Sequence, residues 1–179
     1  MSHRIHTFGA SGSGTTTLAR ALSDQLNCEH LDTDDYYWLK SDPPYIKKRD
    51  PVERVKLIQE KVAGKKSWTL SGSICSWGDP LLDSFTLAVF VLLDTDVRMK
   101  RLEKRERERH GSRIDRGGDM YKAHLEFMEW ARSYDTATTP IRSLEMHQSW
   151  TEKLRCPVVE VNSIEDRKSI AIQILSQAH

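Results

Sequence analysis

Long apolar runs are missing from this sequence. The most continuous, Leu87-Ala88-Val89-Phe90-Val91-Leu92-Leu93, falls far short of the ~20 residues a membrane helix needs, so no membrane is expected as a partner. Cysteine is scarce: Cys28, Cys75 and Cys156 are widely spaced, odd in number and form no C-x-x-C. That pattern points to reduced thiols in a cytoplasmic protein rather than to a disulfide framework. Neither sign of charge dominates, and 27 basic against 26 acidic residues supply no electrostatic footprint for nucleic acid or an acidic membrane surface. The seven histidines show no H-x-x-x-H, no H-x-H and no clustering with cysteine, so a zinc site has no support. The G-x-S-x-G elbow of a serine hydrolase is absent, as are internal repeats and low-complexity segments. Met1-Ser2-His3-Arg4 leads straight towards a strand without a signal-peptide core. At 179 residues the chain is expected to form one domain over 1–179 with a substantial core.

What is present centres on Gly9-Ala10-Ser11-Gly12-Ser13-Gly14-Thr15-Thr16-Thr17, between an alternating run from Arg4 to Phe8 and a helically spaced stretch from Leu18 to Leu26. Strand, glycine-rich loop and helix is the context in which a glycine pattern reads as a phosphate cradle. The glycines allow left-handed angles that curl backbone N–H groups around an anion. A helix opening at about Thr15 adds unpaired donors and the positive end of its dipole. Gly9 and Gly14 have the spacing of G-x-x-x-x-G-K-[ST], and Thr16 falls where a hydroxyl binds Mg²⁺. Thr15 stands where the lysine should be, so the cation that reaches the outer phosphates is missing from its slot. A ligand-free Gly/Ser-rich turn is the bland alternative; three glycines between a strand and a helix disfavour it.

Glu29 to Asp32 reads as a second strand whose carboxyl end carries Asp32, Asp34 and Asp35. Ligands of open parallel sheets bind beyond the strands' carboxyl ends. Asp32 and Asp34 are therefore candidates to organise Mg²⁺ and to accept a proton from a substrate hydroxyl, with helix capping by Asp34 or Asp35 as the alternative. Residues 39–50 form a loop broken by Pro43-Pro44. Tyr36, Tyr37, Trp38 and Tyr45 beside Lys47, Lys48 and Arg49 suit a planar or anionic acceptor, or a solvated basic loop over an aromatic cluster. A helix from Val52 to Ala63, capped by Asp50, precedes a third strand over Ser67 to Ser71. Ser71 either contacts Mg²⁺ through water or a substrate group, or belongs to a structural turn. The run from Leu87 to Leu93 reads as a central strand buried on both faces.

Asp94 then begins a helix over Val97 to about Arg109, on which Arg98, Arg101, Arg105 and Arg109 share one face. Arg101 and Arg105 are read as aimed at phosphates and the others as solvated, with Glu103–Arg107 and Lys104–Glu108 pairing on the surface. Residues 110–119 form the candidate mobile segment, which would bring Arg113 and Arg116 in on closure. Helices over Met120–Tyr134 and Ile141–Leu154, a fifth strand over Pro157–Val161 and a helix over Ile164–Ala178 complete the chain.

Five strands alternating with helices, the glycine loop after the first, acids after the second and an arginine helix after the fourth resemble the P-loop small-molecule kinases. That group includes adenylate and shikimate kinases; the nearest likeness is to short adenylate-kinase-like relatives, the topology-modulation proteins. The resemblance implies an α/β P-loop NTPase three-layer sandwich. Its five-stranded parallel sheet has order 2-3-1-4-5, with helices on both faces and a short lid over about 105–120. It also implies ATP or ADP with Mg²⁺, and transfer of the γ-phosphoryl group to a nucleoside, nucleotide or other hydroxylated metabolite. Gly9, Ser11, Gly12, Ser13, Gly14, Thr15, Thr16 and Thr17 would hold the nucleotide, and Thr16 with Asp32 the metal. Asp34 would orient or deprotonate the acceptor hydroxyl, and Arg101, Arg105, Arg113 or Arg116 would neutralise transition-state charge. The turn from Asn162 to Asp166 sits where relatives hold the adenine base. Two positions depart from the pattern: Thr15, and Ser71-Gly72-Ser73 where many relatives have an aspartate followed by glycine. Lys47, Lys48 or a lid arginine is the substitute cation on offer. Without one, the chain reads as a nucleotide-binding regulatory module. Nothing in the sequence fixes an oligomeric state.

Overall fold

The computed structural model describes residues 2–162 and 166–177. Five strands, β1 (Arg4–Gly9), β2 (Glu29–Asp32), β3 (Trp68–Ser71), β4 (Leu87–Leu92) and β5 (Val158–Asn162), pair in parallel in the order β2-β3-β1-β4-β5. Parallel neighbours require crossovers. These are supplied by α1 (Thr15–Leu26), α2 (Thr33–Tyr37), α3 (Pro51–Val62), α4 (Thr95–His110), α5 (Tyr121–Arg132) and α6 (Leu144–Lys153), and α7 (Arg167–Gln177) closes the chain. The sheet order and direction are those the family resemblance implied.

Alternation along the strands sorts side chains into two cores. On β4, Leu87, Val89 and Val91 join Ile5, Leu18, Leu22, Ile170 and Ile174 beneath α1 and α7. Ala88 and Phe90 join Phe8, Ile58, Leu70 and Trp150 beneath α3 and α6. Each large apolar side chain fully buried contributes about 1.5–3 kcal/mol, so β4 anchors both helix layers to one sheet. Met99 and Leu102 of α4 pack with Ala131 of α5 in a third, smaller cluster. No helix among the described residues is long and apolar enough to cross a membrane.

Several local features differ from the sequence expectation. The cap of α2 is Asp32, whose carboxylate accepts from the Asp34 N–H, rather than Asp34 or Asp35. Helix α5 ends at Arg132 and tightens into a 3-10 turn over Ser133–Asp135. Helix α6 begins at Leu144 rather than Ile141 because the Ser143 hydroxyl accepts from the Met146 N–H at 3.2 Å, satisfying one of the orphan donors of a first turn. The segment read as mobile contains a 3-10 turn, Gly111–Ile114, and is closed by the Met120 N–H donating to Arg113 O at 3.0 Å. Arg107 pairs with Asp115 at 2.7 Å rather than with Glu103, whereas Lys104 meets Glu108 at 3.8 Å. The expected helix limits Ile164 and Ala178 lie outside the described residues.

Candidate active site

The loop between β1 and α1 takes its shape from two left-handed glycines, Gly12 at φ 83 and Gly14 at φ 93. The Ser13 N–H donates to Ala10 O at 3.1 Å, closing a tight turn, and the Thr7 hydroxyl donates to Thr15 O at 3.2 Å. Gly14 caps α1 without a side-chain hydrogen bond, so no side chain competes for the first N–H groups of that helix. The loop is clamped on two sides. A Cβ on Gly9 would lie 2.3 Å from Val91 O, and one on Gly12 would lie 2.9 Å from Arg98 O and 3.0 Å from Leu102 Cγ. Helix α4 therefore roofs the loop.

Beside the loop, β2 and β3 end in register, Asp32 opposite Ser71. The Thr16 hydroxyl donates to Asp32 Oδ2 at 3.1 Å, and the Ser71 hydroxyl donates to Thr16 Oγ1 at 3.4 Å. His30 Nε2 lies 2.9 Å from Ser71 Oγ. His30, Ser71, Thr16 and Asp32 thus form one chain of polar contacts. The glycine after Ser71 is required: Gly72 has φ 104, and a Cβ there would strike the Thr33 hydroxyl at 1.9 Å. Adjacent Thr16 and Asp32 oxygens fit Mg²⁺, which binds through one or two carboxylates plus substrate phosphates. Among the described residues no cluster of three or more His, Cys, Asp or Glu could hold a metal alone.

Asp34 is exposed to solvent, yet the protein around it displaces enough water to push its carboxyl above the usual range. The Asp32 charge adds to that rise, and Arg142, Arg105 and Arg109 oppose it. Arg142, the foremost of the opposing charges, lies 4.5 Å over the Trp130 ring. Its Nε is buried without a hydrogen-bond partner, and burial draws its pKa down against the pull of Asp34. Arg54 is a second enclosed guanidinium, 5% exposed, with Nε donating to Arg49 O at 2.8 Å. It lies 3.8 Å over Tyr37 and 5.4 Å over Trp77. The aromatic and basic stretch of 36–49 does gather here: Trp38 bridges to Lys48, and Lys48 Nζ sits 5.9 Å over Tyr37.

A model of the AAA domain family matches residues 5–129. The chain belongs to that family. Uncharacterized protein YqaC of Bacillus subtilis (strain 168) is 41% identical over 179 residues, spanning 98% of this chain and 99% of its own. Among solved structures, a shikimate kinase from Bacteroides thetaiotaomicron superposes with a TM-score of 0.61 at 17% identity, covering 99% of this chain and 98% of its own. A gluconokinase from Sinorhizobium meliloti 1021 superposes with a TM-score of 0.54 at 18% identity, covering 98% and 91%. The fold of this AAA domain chain is thus that of the P-loop small-molecule kinases.

Within this AAA domain chain the expected site residues divide into those that converge and those that do not. Gly9, Ser11, Gly12, Ser13, Gly14, Thr15 and Thr16 line one turn, next to Asp32 and Asp34, whereas Thr17 is exposed on α1. Arg105 donates to its neighbour Glu106 at 3.2 Å and acts on Asp34; Arg101 is exposed. Arg113 is drawn away into ion pairs with Asp119 at 2.6 Å and Asp42 at 2.7 Å. Arg98, read as solvated, is fully buried: it donates to Leu93 O at 3.0 Å and Ala131 O at 3.2 Å and pairs with Asp135 at 2.9 Å. Residues 163–165 of the turn assigned to the adenine base lie outside the described residues. Its first residue, Asn162, lines a cavity of about 350 Å³ with Ala10, Asp94, Thr95 and Tyr134. Arg142 and Arg54 escaped sequence reasoning, since neither belongs to a motif.

Proposed function

We propose that this protein transfers the γ-phosphoryl group of ATP to a hydroxyl of a small anionic acceptor. The observation that carries this reading is Asp34 beside the Thr16–Asp32 pair, its carboxyl raised by burial and opposed by the charge of Arg142, whose Nε lacks a partner. A buried Nε–H without a hydrogen-bond partner is unfavourable in a protein made only to be stable; an acceptor carboxylate or phosphate would complete it. Arg54 is a further enclosed cation, held against the Tyr37 and Trp77 rings. In this scheme the loop amides of residues 12–16 hold the nucleotide phosphates. Thr16 and Asp32 would hold Mg²⁺, which when bound neutralises phosphate charge. The raised carboxyl of Asp34 takes the proton of the acceptor hydroxyl as its oxygen bonds to the γ-phosphorus and ADP departs. The whole operates within one domain over residues 1–179, and the free state of Cys28, Cys75 and Cys156 supports a cytoplasmic setting.

Calorimetric titration with ADP and ATP, with and without Mg²⁺, tests the cradle, and a turnover screen over anionic acceptors tests the transfer. Metal-dependent binding followed by phosphorylation of such an acceptor is the expected result. Affinity with no turnover would favour a nucleotide-binding regulatory module, which Thr15 and the ion-paired Arg113 speak for. Absence of binding would end both readings.

A further inference from the structure

We infer that His6, His30 and His147 are positioning residues for the metal corner: together they grip the turn Ser71-Gly72-Ser73 and so hold the Ser71 hydroxyl against Thr16. The inference rests on the nucleotide reading above. Three of the chain's seven histidines meet three consecutive residues of one turn, each through Nε2. His30 lies 2.9 Å from Ser71 Oγ, His6 2.9 Å from Gly72 O, and His147 3.0 Å from Ser73 Oγ. They come from separate elements. Strands β1 and β2 flank β3 in the sheet, with His6 opposite Leu70 and His30 opposite Thr69. Adjacent positions of a strand face opposite ways, so His6 and His30 stand on opposite faces. Thr69 faces α1, where its hydroxyl donates to Ala19 O, and Leu70 faces the core that contains Trp150 of α6. His147, also on α6, closes the grip from that side.

The turn itself is neutral, and Gly72 sits at φ 104. The Gly72 N–H donates to Thr7 O at 2.9 Å. Its carbonyl can only accept, so His6 carries its proton on Nε2. That leaves His6 Nδ1 buried without a partner. An apolar side chain would fill the same stack between Phe8 and Phe85 without a bare nitrogen. What it could not supply is the donor to Gly72 O. His147 is fixed in its turn by the Tyr134 hydroxyl, 2.6 Å from Nδ1. Burial shifts all three imidazoles towards their neutral form, so they act through hydrogen bonds and not as charges. The grip delivers Ser71 Oγ to 3.4 Å from Thr16 Oγ1, and the Thr16 hydroxyl donates to Asp32 at 3.1 Å.

The test measures the ATP affinity of the full chain by calorimetry over a series of Mg²⁺ concentrations. His30 is half-buried, so His30→Leu should fold. It should raise the Mg²⁺ concentration for half-maximal ATP binding about three- to tenfold, the size of one net hydrogen bond. His30→Gln, whose amide nitrogen stands close to the place of Nε2, should restore it. Ser71→Ala should show the same rise, and combining it with His30→Leu should add nothing further, because one acts through the other. In the metal-free protein, nitrogen NMR shifts should show His6 protonated at Nε2. Amide exchange at Gly72 and Ser73 should quicken in His6→Leu and His147→Leu and stay slow in the two Gln variants. An unchanged Mg²⁺ requirement in His30→Leu, additive effects of His30→Leu and Ser71→Ala, or a His6 proton on Nδ1 overturns the inference while the nucleotide reading stands. If the unaltered protein binds no nucleotide, that reading falls and the inference with it.

Discussion

Asp34 combines a proposed chemical role with a measurable discomfort. Desolvation and the Asp32 charge raise its carboxyl pKa, so at neutral pH the folded protein holds the charged form less favourably than the unfolded chain does. Asp34→Asn should therefore lower phosphoryl transfer by about 10²–10⁴-fold while leaving the thermal midpoint equal or higher. A falling midpoint together with retained turnover would remove Asp34 from the chemistry. Gly12 makes the opposite case. With φ 83 and the Arg98 carbonyl 2.9 Å from a would-be Cβ, Gly12→Ala should destabilise by about 1–3 kcal/mol, visible as a lower urea midpoint. The positions of Gly12, Gly14, Thr16 and Asp32 were legible in the sequence because they depend on local backbone geometry and on the ends of two strands. Arg54 and Arg142 were not, because what sets them apart is stacking on Tyr37 and Trp130, contacts that no spacing encodes.

Among the elements, the five strands and the principal helices followed from periodicity, and errors gathered at helix ends, where one side chain decides. The Ser143 cap on α6 is such a case: Ser143→Ala should cost about 1 kcal/mol of stability. Because the next residue back is Arg142, it should also raise the KM for an anionic acceptor. The segment after α4 is held by a contact between residues 71 apart in sequence, Arg113 to Asp42, which local pattern could not reveal. Exposed pairs of this kind are screened by water and add little to stability. Arg113→Ala should accordingly leave the melting temperature nearly unmoved while quickening proteolysis within residues 111–119. A large drop in melting temperature would show that the pair is structural.

Taken whole, the molecule carries two histidines that its core keeps neutral. His6 is stacked between Phe8 and Phe85, and burial lowers its pKa from 6.5 to about 4. His147, lodged between the Tyr134 hydroxyl and Ser73, falls from 6.5 to about 3. Below pH 6.5 the unfolded chain gains protons that the folded one refuses, so stability declines as pH falls, down to about 4 for His6 and about 3 for His147. Each histidine contributes about 1.4 kcal/mol of loss per pH unit inside its window, and urea midpoints between pH 7 and pH 4.5 should trace that slope. The roof over Gly12 also links distant parts of the protein. Since the backbone of α4 bears directly on the loop, and Arg98 of that same helix is bonded to the end of α5, amide exchange at Ser13 to Thr16 should keep time with α4 rather than with β1. The phosphate loop would then register disturbances from the helical side of the molecule, much as a sounding board registers its bridge.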